Sequence, residues 1–183
     1  PKVKIAERRK ARKATLLEDL MEYFCWCLAN SSTEKAQKTR SYLKRERGFT
    51  QEQIEKLRFG FVPLWSSVGT FMTTKKKYLK EELDEACGVY SVDGKTAVGK
   101  THTLAIPYIC AGVLKGFLFR RVDSDDKPKY LANFALDRRS VFFNYPEQGS
   151  SVIAVVEGEM DALTATAAGI PGVVAIGGSE IAG

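Results

Sequence analysis

Two short stretches carry residue types that do chemistry at the spacing that chemistry needs. Residues 94–101, GKTAVGKT, fit the pattern G-x-x-x-x-G-K-[ST], in which backbone N–H groups cradle phosphates while a lysine and a hydroxyl reach the terminal phosphate and its metal. Residues 157–161, EGEMD, hold the carboxylates Glu157, Glu159 and Asp161, whose oxygens suit a hard cation such as Mg2+. The elements around each stretch decide between them.

A phosphate loop leaves a buried strand and enters a helix whose first N–H groups hold the phosphates. The first stretch lacks that setting. Asp93-Gly94 is a hairpin-turn dipeptide that accounts for the first glycine, HTLAIPYI downstream reads as a strand, and Pro107 would break a helix there. The match is accidental, and a nucleoside-triphosphatase is not expected.

The second stretch has its setting. SVIAVVEG is a continuous apolar run of the kind that forms a buried parallel strand, EMDALTATAAG has helical composition and stops at Gly169 and Pro171, and VVAIGG is a further buried strand. Strand, helix and strand make a right-handed βαβ unit. Glu157 then stands at the carboxyl end of a strand, where α/β folds place ligands, and Asp161 in the first turn of the helix. On residue pattern alone, the three acids could equally do no more than charge a helix N-terminus.

Upstream, the chain reads as helices with marked ends. TLLEDLMEYFCWCLANSS has an apolar stripe of Leu16, Leu17, Leu20, Met21, Phe24 and Leu28. Capping boxes are read at Thr15 with Glu18, at Ser31 with Glu34 and at Thr50 with Gln53, and helices end at Gly48 and Gly88. Residues 15–87 are expected to form a small helical bundle, and TLAIPYI and VLKGFLF an antiparallel sheet over 88–122, followed by a polar, basic loop.

The 183 residues suit one ordinary domain or two small ones, and 44% hydrophobic with 27% charged residues is a soluble globular composition. No apolar run is long enough to span a bilayer and no signal peptide is evident, so the expectation is a cytoplasmic protein without a membrane partner. Cys25, Cys27, Cys87 and Cys110 form no C-x-x-C pair beside the single His102, so reduced thiols rather than a zinc site are expected. Residues 1–14 hold seven bases and one acid and read as a basic arm or linker, which could equally contact a polyanion. After Arg139 there is no base at all, and the 44 residues from 140 carry five acids, which attracts cations without requiring a specific site.

VVEGEMDALTATAAGI followed by VVAIGG resembles the opening of a Toprim domain, the fold shared by bacterial primases, type IA and II topoisomerases and some nucleases. SYLKRERGFTQEQIEKLRFGFVP, AIPYICAGVLKGFLFRRVDSDDKPKYLANF and the aromatic run FFN resemble DnaG-type bacterial DNA primases, in family order over roughly residues 15–183. The resemblance implies an α+β fold: a primase subdomain over 15–148, with helices at 15–87 and a sheet and basic loop at 88–148, then a truncated Toprim domain from 149 to 183. It implies a primer synthase, a template-directed nucleotidyltransferase using Mg2+ or Mn2+, with single-stranded DNA template, nucleoside triphosphates and a replicative helicase as partners.

By the same resemblance Glu157 matches the metal-site glutamate and Asp161 the neighbouring aspartate, and both are the catalytic candidates. Arg120, Arg121, Lys127 and Lys129 line the groove for template or incoming nucleotide; a merely solvated loop is the alternative, with Asp123, Asp125 and Asp126 beside them. THT at 101–103 stands where primases carry arginines, which points to a divergent, phage or mobile-element type. A zinc-binding domain and the D-x-D carboxylates of the family are not in the sequence. The expectation is therefore a piece of a longer enzyme, inactive alone, with an incomplete metal site and no zinc. The rival readings are a Toprim nuclease or topoisomerase, which lacks the KPKYL sheet, and a non-catalytic DNA-binding module of a mobile-element replication protein.

Overall fold

Residues 102–121 build the centre of the molecule because nearly every side chain there is apolar and two runs of nine face each other across a tight turn. In the computed structural model, which describes residues 2–87, 91–92, 95–133, 136–138 and 141–177, strand β4 (His102–Cys110) pairs antiparallel with β5 (Val113–Arg121). The turn uses Ala111 and Gly112, both at positive φ. β5 pairs with β6 (Tyr130–Ala132), and β4 with the two-residue β1 (Gly60–Phe61), giving the order β1-β4-β5-β6.

Both faces of this sheet are covered. Leu104, Ile106, Tyr108 and Leu118 point to one core; Ala105, Phe117 and Phe119 point to the other. The second core is filled by the stripe Leu16, Leu17, Leu20, Met21 and Phe24 of α1 (Lys2–Asn30), with α4 (Trp65–Thr74) and α5 (Lys80–Cys87) adding Val68, Met72 and Leu83. Phe24 meets Phe117 edge-on at 5.6 Å between ring centres, a favoured arrangement of aromatic quadrupoles. β1 lies so close on α1 that a Cβ at Gly60 would come within 2.5 Å of the Phe24 Cβ.

The first core is closed by α2 (Glu34–Ser41), a π-helical turn at Tyr42–Glu46 and α3 (Gln51–Lys56). It also takes in Met160, Ala162 and Leu163 of α6 (Glu159–Ala167) and Val173 and Ala175 of β8 (Val173–Ala175). β8 pairs in parallel with β7 (Ala154–Val156), so strand, helix and strand form the βαβ arrangement over this segment. Phe143 bridges to Ala175 on the other side of β8, and the Asn144 amide donates to the Val173 carbonyl at 2.9 Å.

Several expectations need correction. The helices of 15–87 do not form a bundle of their own but sit on both faces of the sheet, and α4 and β1 were not foreseen. Residues 2–14 are the first turns of α1 rather than a separate arm, since alanine, arginine and lysine favour helix and no breaker intervenes. Thr15 is accordingly no cap; its hydroxyl donates to the Ala11 carbonyl one turn back. Thr33, not Ser31, caps α2 by accepting from the Ala36 N–H, whereas the reciprocal Thr50–Gln53 box forms as the spacing predicts. β7 is not a buried strand: Val155 is exposed, as is Val152 just before it.

The GKTAVGKT stretch enters no helix. Ser91–Val92 (β2) pairs antiparallel with Lys95–Thr96 (β3), the Asp93-Gly94 turn itself lying outside the described residues, and Ala97–Thr101 forms a turn into β4. Gly99 has φ +77° and a Cβ there would lie 2.0 Å from the Pro63 carbonyl oxygen, so this glycine serves packing. Gly99→Ala is therefore predicted to destabilise by at least ~2 kcal/mol, while the exposed Lys100→Ala changes stability by no more than ~0.5 kcal/mol. Urea unfolding of the two variants checks this.

Candidate nucleic-acid interface and carboxylate site

Arg120 is placed by the strand ladder. In the β5–β6 register it stands directly opposite Tyr130, on the face toward the first core. Tyr42 reaches the same point from the π-helical turn, and the guanidinium lies between the rings, 5.1 Å from the centre of Tyr42 and 4.8 Å from that of Tyr130. It also donates to the Tyr130 hydroxyl. The residue is only 5% exposed, and its Nε has no acceptor among the described residues, so the two π-faces carry much of the compensation for its desolvated charge. Burial pushes the Tyr130 phenol up, against the pull of Arg120.

A polar cleft of about 360 Å³ opens over this sandwich. Arg47, Arg120, Arg121 and Lys129 bring positive charge to its wall, and Glu46, Asp123 and Asp125 negative charge. Arg47 donates from Nε to the Tyr42 hydroxyl at 2.6 Å. Burial works against the Arg47 charge, but the Tyr42 hydroxyl and the fields of Tyr42, Tyr130 and Asp161 outweigh it and hold the guanidinium pKa above its usual value.

The other basic candidates stand at the end of β5 and on the loop that follows it. Arg121 pairs with Asp126 at 3.0 Å and Lys129 with Asp125 at 3.3 Å. Exposed pairs of this kind are worth little in water and can be exchanged for phosphate contacts. Lys127 is exposed and does not line the cleft. The base of the loop is closed by Arg121 N–H donating to the Lys129 carbonyl at 3.0 Å.

Glu157 follows β7 directly and is exposed, its side chain without a hydrogen-bond partner among the described residues. Asp161 is exposed in the first turn of α6. Gly158 caps that helix, and a Cβ on it would stand 2.9 Å from Asp161 Oδ2, so glycine leaves room for the Asp161 carboxylate over the helix start. Neither acid lines the cleft, but the field of Asp161 reaches Arg47 on its wall.

Glu159 differs from its neighbours. It is 4% exposed and paired with Arg138, whose Nη2 also donates to the Gly177 carbonyl at 2.6 Å. It braces the βαβ unit and is unavailable to a ligand. As a donor set, Glu157 and Asp161 offer hard, exposed oxygens that fit a small divalent cation keeping several of its waters. No group of three His, Cys, Asp or Glu side chains suited to a metal occurs among the described residues. No helix among them is long and apolar enough to cross a membrane, and Cys25, Cys27 and Cys110 are free thiols.

Sequence reasoning missed Tyr42, Arg47, Arg138 and the part of Tyr130. Tyr130 had a signal in its place in the KPKYL motif, and Tyr42 and Arg47 in theirs within SYLKRERGF; Arg138 meets the site through packing alone.

This architecture is that of the catalytic domain of DnaG-type DNA primases. The RNA polymerase domain of Mycobacterium tuberculosis primase DnaG, in complex with a double-stranded DNA oligomer with a 6-nucleotide overhang, superposes with a TM-score of 0.74 at 24% identity, over 94% of this chain and 56% of that one. The zinc-binding and RNA polymerase domains of Aquifex aeolicus primase give a TM-score of 0.73 at 21% identity, over 93% of this chain and 43% of that one.

In sequence, the chain is 27% identical over 81% of its length to the DNA primase of Listeria monocytogenes, and equally to that of Listeria innocua. The chain spans about a quarter of the length of these relatives, 25% in each case. No protein-family model matches it.

The two exposed acids and the buried one should separate by stability. Glu159→Ala is predicted to cost roughly 2–4 kcal/mol, below the full value of a broken buried pair because Arg138 retains some solvent contact. Glu157→Ala should stay within ~0.5 kcal/mol, as an unpaired surface carboxylate does. Denaturant midpoints of the two variants test the division.

Proposed function

We propose that this chain belongs to an enzyme that synthesises RNA primers on a single-stranded DNA template, with nucleoside triphosphates as substrates. The observation that carries this reading is the cleft of Arg47, Arg120, Arg121 and Lys129 on the sheet, with the field of Asp161, in the first turn of the βαβ helix, reaching Arg47 on its wall. Cations at that position hold phosphates in register, and carboxylates beside them would hold the divalent cation that meets the negative charge developing on the transferred group. The wider resemblance is to primase domains solved with DNA bound.

In this reading the βαβ unit opens a Toprim domain. Glu157 and Asp161 would contribute ligands to Mg2+ or Mn2+, which would supply activation of the attacking 3′ hydroxyl and charge neutralisation at the leaving pyrophosphate. The residues of this chain orient and position. Arg120, fixed between Tyr42 and Tyr130, presents a rigid positive charge at the cleft wall. Arg121 and Lys129 exchange their loop partners for the backbone of the template or the phosphates of a nucleotide, and the exposed Lys127 adds its charge beside them. Arg47 bridges the two sides. A replicative helicase is the natural partner and the cytoplasm the compartment.

Two substitutions test the reading. In the full-length enzyme Glu157→Gln keeps shape and hydrogen-bond acceptance but loses the charge a hard cation needs. It should leave melting and DNA binding unchanged while removing primer synthesis across a Mg2+ titration. Lys129→Ala should weaken single-stranded DNA binding and lower the salt slope by about one. Near-normal primer yield from Glu157→Gln would return the chain to a non-catalytic role.

A further inference from the structure

His102 is the one histidine of the chain, at the start of β4 and opposite Arg121 in the ladder. It is 1% exposed. Its Nε2 lies 2.8 Å from the Pro128 carbonyl oxygen and its Nδ1 3.0 Å from Thr101 Oγ1. A carbonyl only accepts, so Nε2 carries the hydrogen, while Nδ1 meets the Thr101 hydroxyl, which also reaches the Ala97 carbonyl at 3.3 Å. The charged groups around it are Arg121 across the ladder and Asp123 on the loop. Burial outweighs the Pro128 contact and the Asp123 field and lowers the imidazole pKa, consistent with a neutral ring.

The Pro128 carbonyl is the only backbone hydrogen-bonding group that residue has, since proline has no N–H. It sits between Lys127 and Lys129, in a stretch where every residue from Asp123 to Lys129 is exposed. Apart from the Arg121–Lys129 backbone bond at its base, the loop's remaining recorded bonds are within itself or to Arg121: Ser124 with Asp126, Asp125 with Lys129, and Arg121 with Ser124 and Asp126. Beside Arg121 at the end of β5, the His102 contact is thus a second tie between the loop and the floor of the sheet, made from the neighbouring strand β4.

We propose that His102 is a positioning residue for nucleic-acid binding: through the Pro128 carbonyl it fixes the loop at 123–129 so that Lys129 projects into the cleft beside Arg120. The proposal rests on the primase reading for the identity of the bound polyanion. It does not require His102 to touch DNA.

Two variants isolate the tie. Glutamine places an amide N–H at about the reach of Nε2 and can still meet Pro128. Asparagine is shorter, so its amide reaches only the Nδ1 position and Thr101. Both are polar and near in size, so a merely structural requirement for a buried polar side chain is met by either.

The measurements are amide hydrogen exchange over residues 121–132 and binding of a single-stranded oligothymidylate as a function of salt. In His102→Asn, exchange over the loop base should quicken about tenfold. Its DNA dissociation constant should rise about tenfold, with the salt slope lower by about one, as for a lost phosphate contact. His102→Gln should restore all three. Wild-type-like exchange in His102→Asn overturns the proposal, as does equal impairment in both variants, or a loosened loop with unchanged affinity and slope. Failure of the wild-type protein to bind the oligonucleotide would instead overturn the primase reading, while the exchange contrast still decides whether His102 holds the loop.

Discussion

The sheet of β1, β4, β5 and β6 is apolar on both faces, and everything else in the molecule follows from the need to cover it. A strand whose residues are buried from His102 through Tyr108 cannot face water on either side. One face takes α1, α4 and α5; the other takes α2, the π-helical turn and α3 together with α6 and β8. The second set of elements brings Tyr42 over Arg120 and sets α6, with Asp161 in its first turn, on the side of the sheet where Arg47 stands. The cleft and the carboxylate segment are thus joined through a shared core rather than by a linker.

That arrangement explains how much could be read from the sequence. The βαβ unit was legible because the apolar runs, Gly169 and Pro171 mark its parts, and the Thr50–Gln53 box because it is purely local. The rejection of the GKTAVGKT match was legible too, since Pro107 and the β-rich run downstream exclude a helix. The bundle expected over 15–87 failed for a physical reason. An amphipathic stripe such as Leu16 to Leu28 reports that a helix covers something, not whether the partner is helix or sheet.

The site shows the same division. Arg120, Arg121, Lys129, Glu157 and Asp161 could be nominated from motifs, but not that Arg120 is clasped between two tyrosines. Tyr42 reaches it from a π-helical turn inside what reads as continuous helix, and no local pattern in YLKRE announces the extra residue per turn. Likewise Glu157, Glu159 and Asp161 look alike in sequence. Only Arg138, distant in the chain, distinguishes the buried acid from the two that face solvent.

The two-faced sheet also sets an order of events during synthesis. The apolar stripe of α1 leaves the ribosome long before its covering, because Phe24 packs on Phe117 and Phe119, and β1 has no strand to pair with until Leu104 and Ala105 have emerged. Until β5 is available, Leu16, Leu20, Met21 and Phe24 lack Phe117 and Phe119 from their covering, and an exposed apolar surface of this kind is what chaperones bind. The nascent chain gains its second core, and with it the floor of the cleft, only once residues 102–121 have folded back over residues already made.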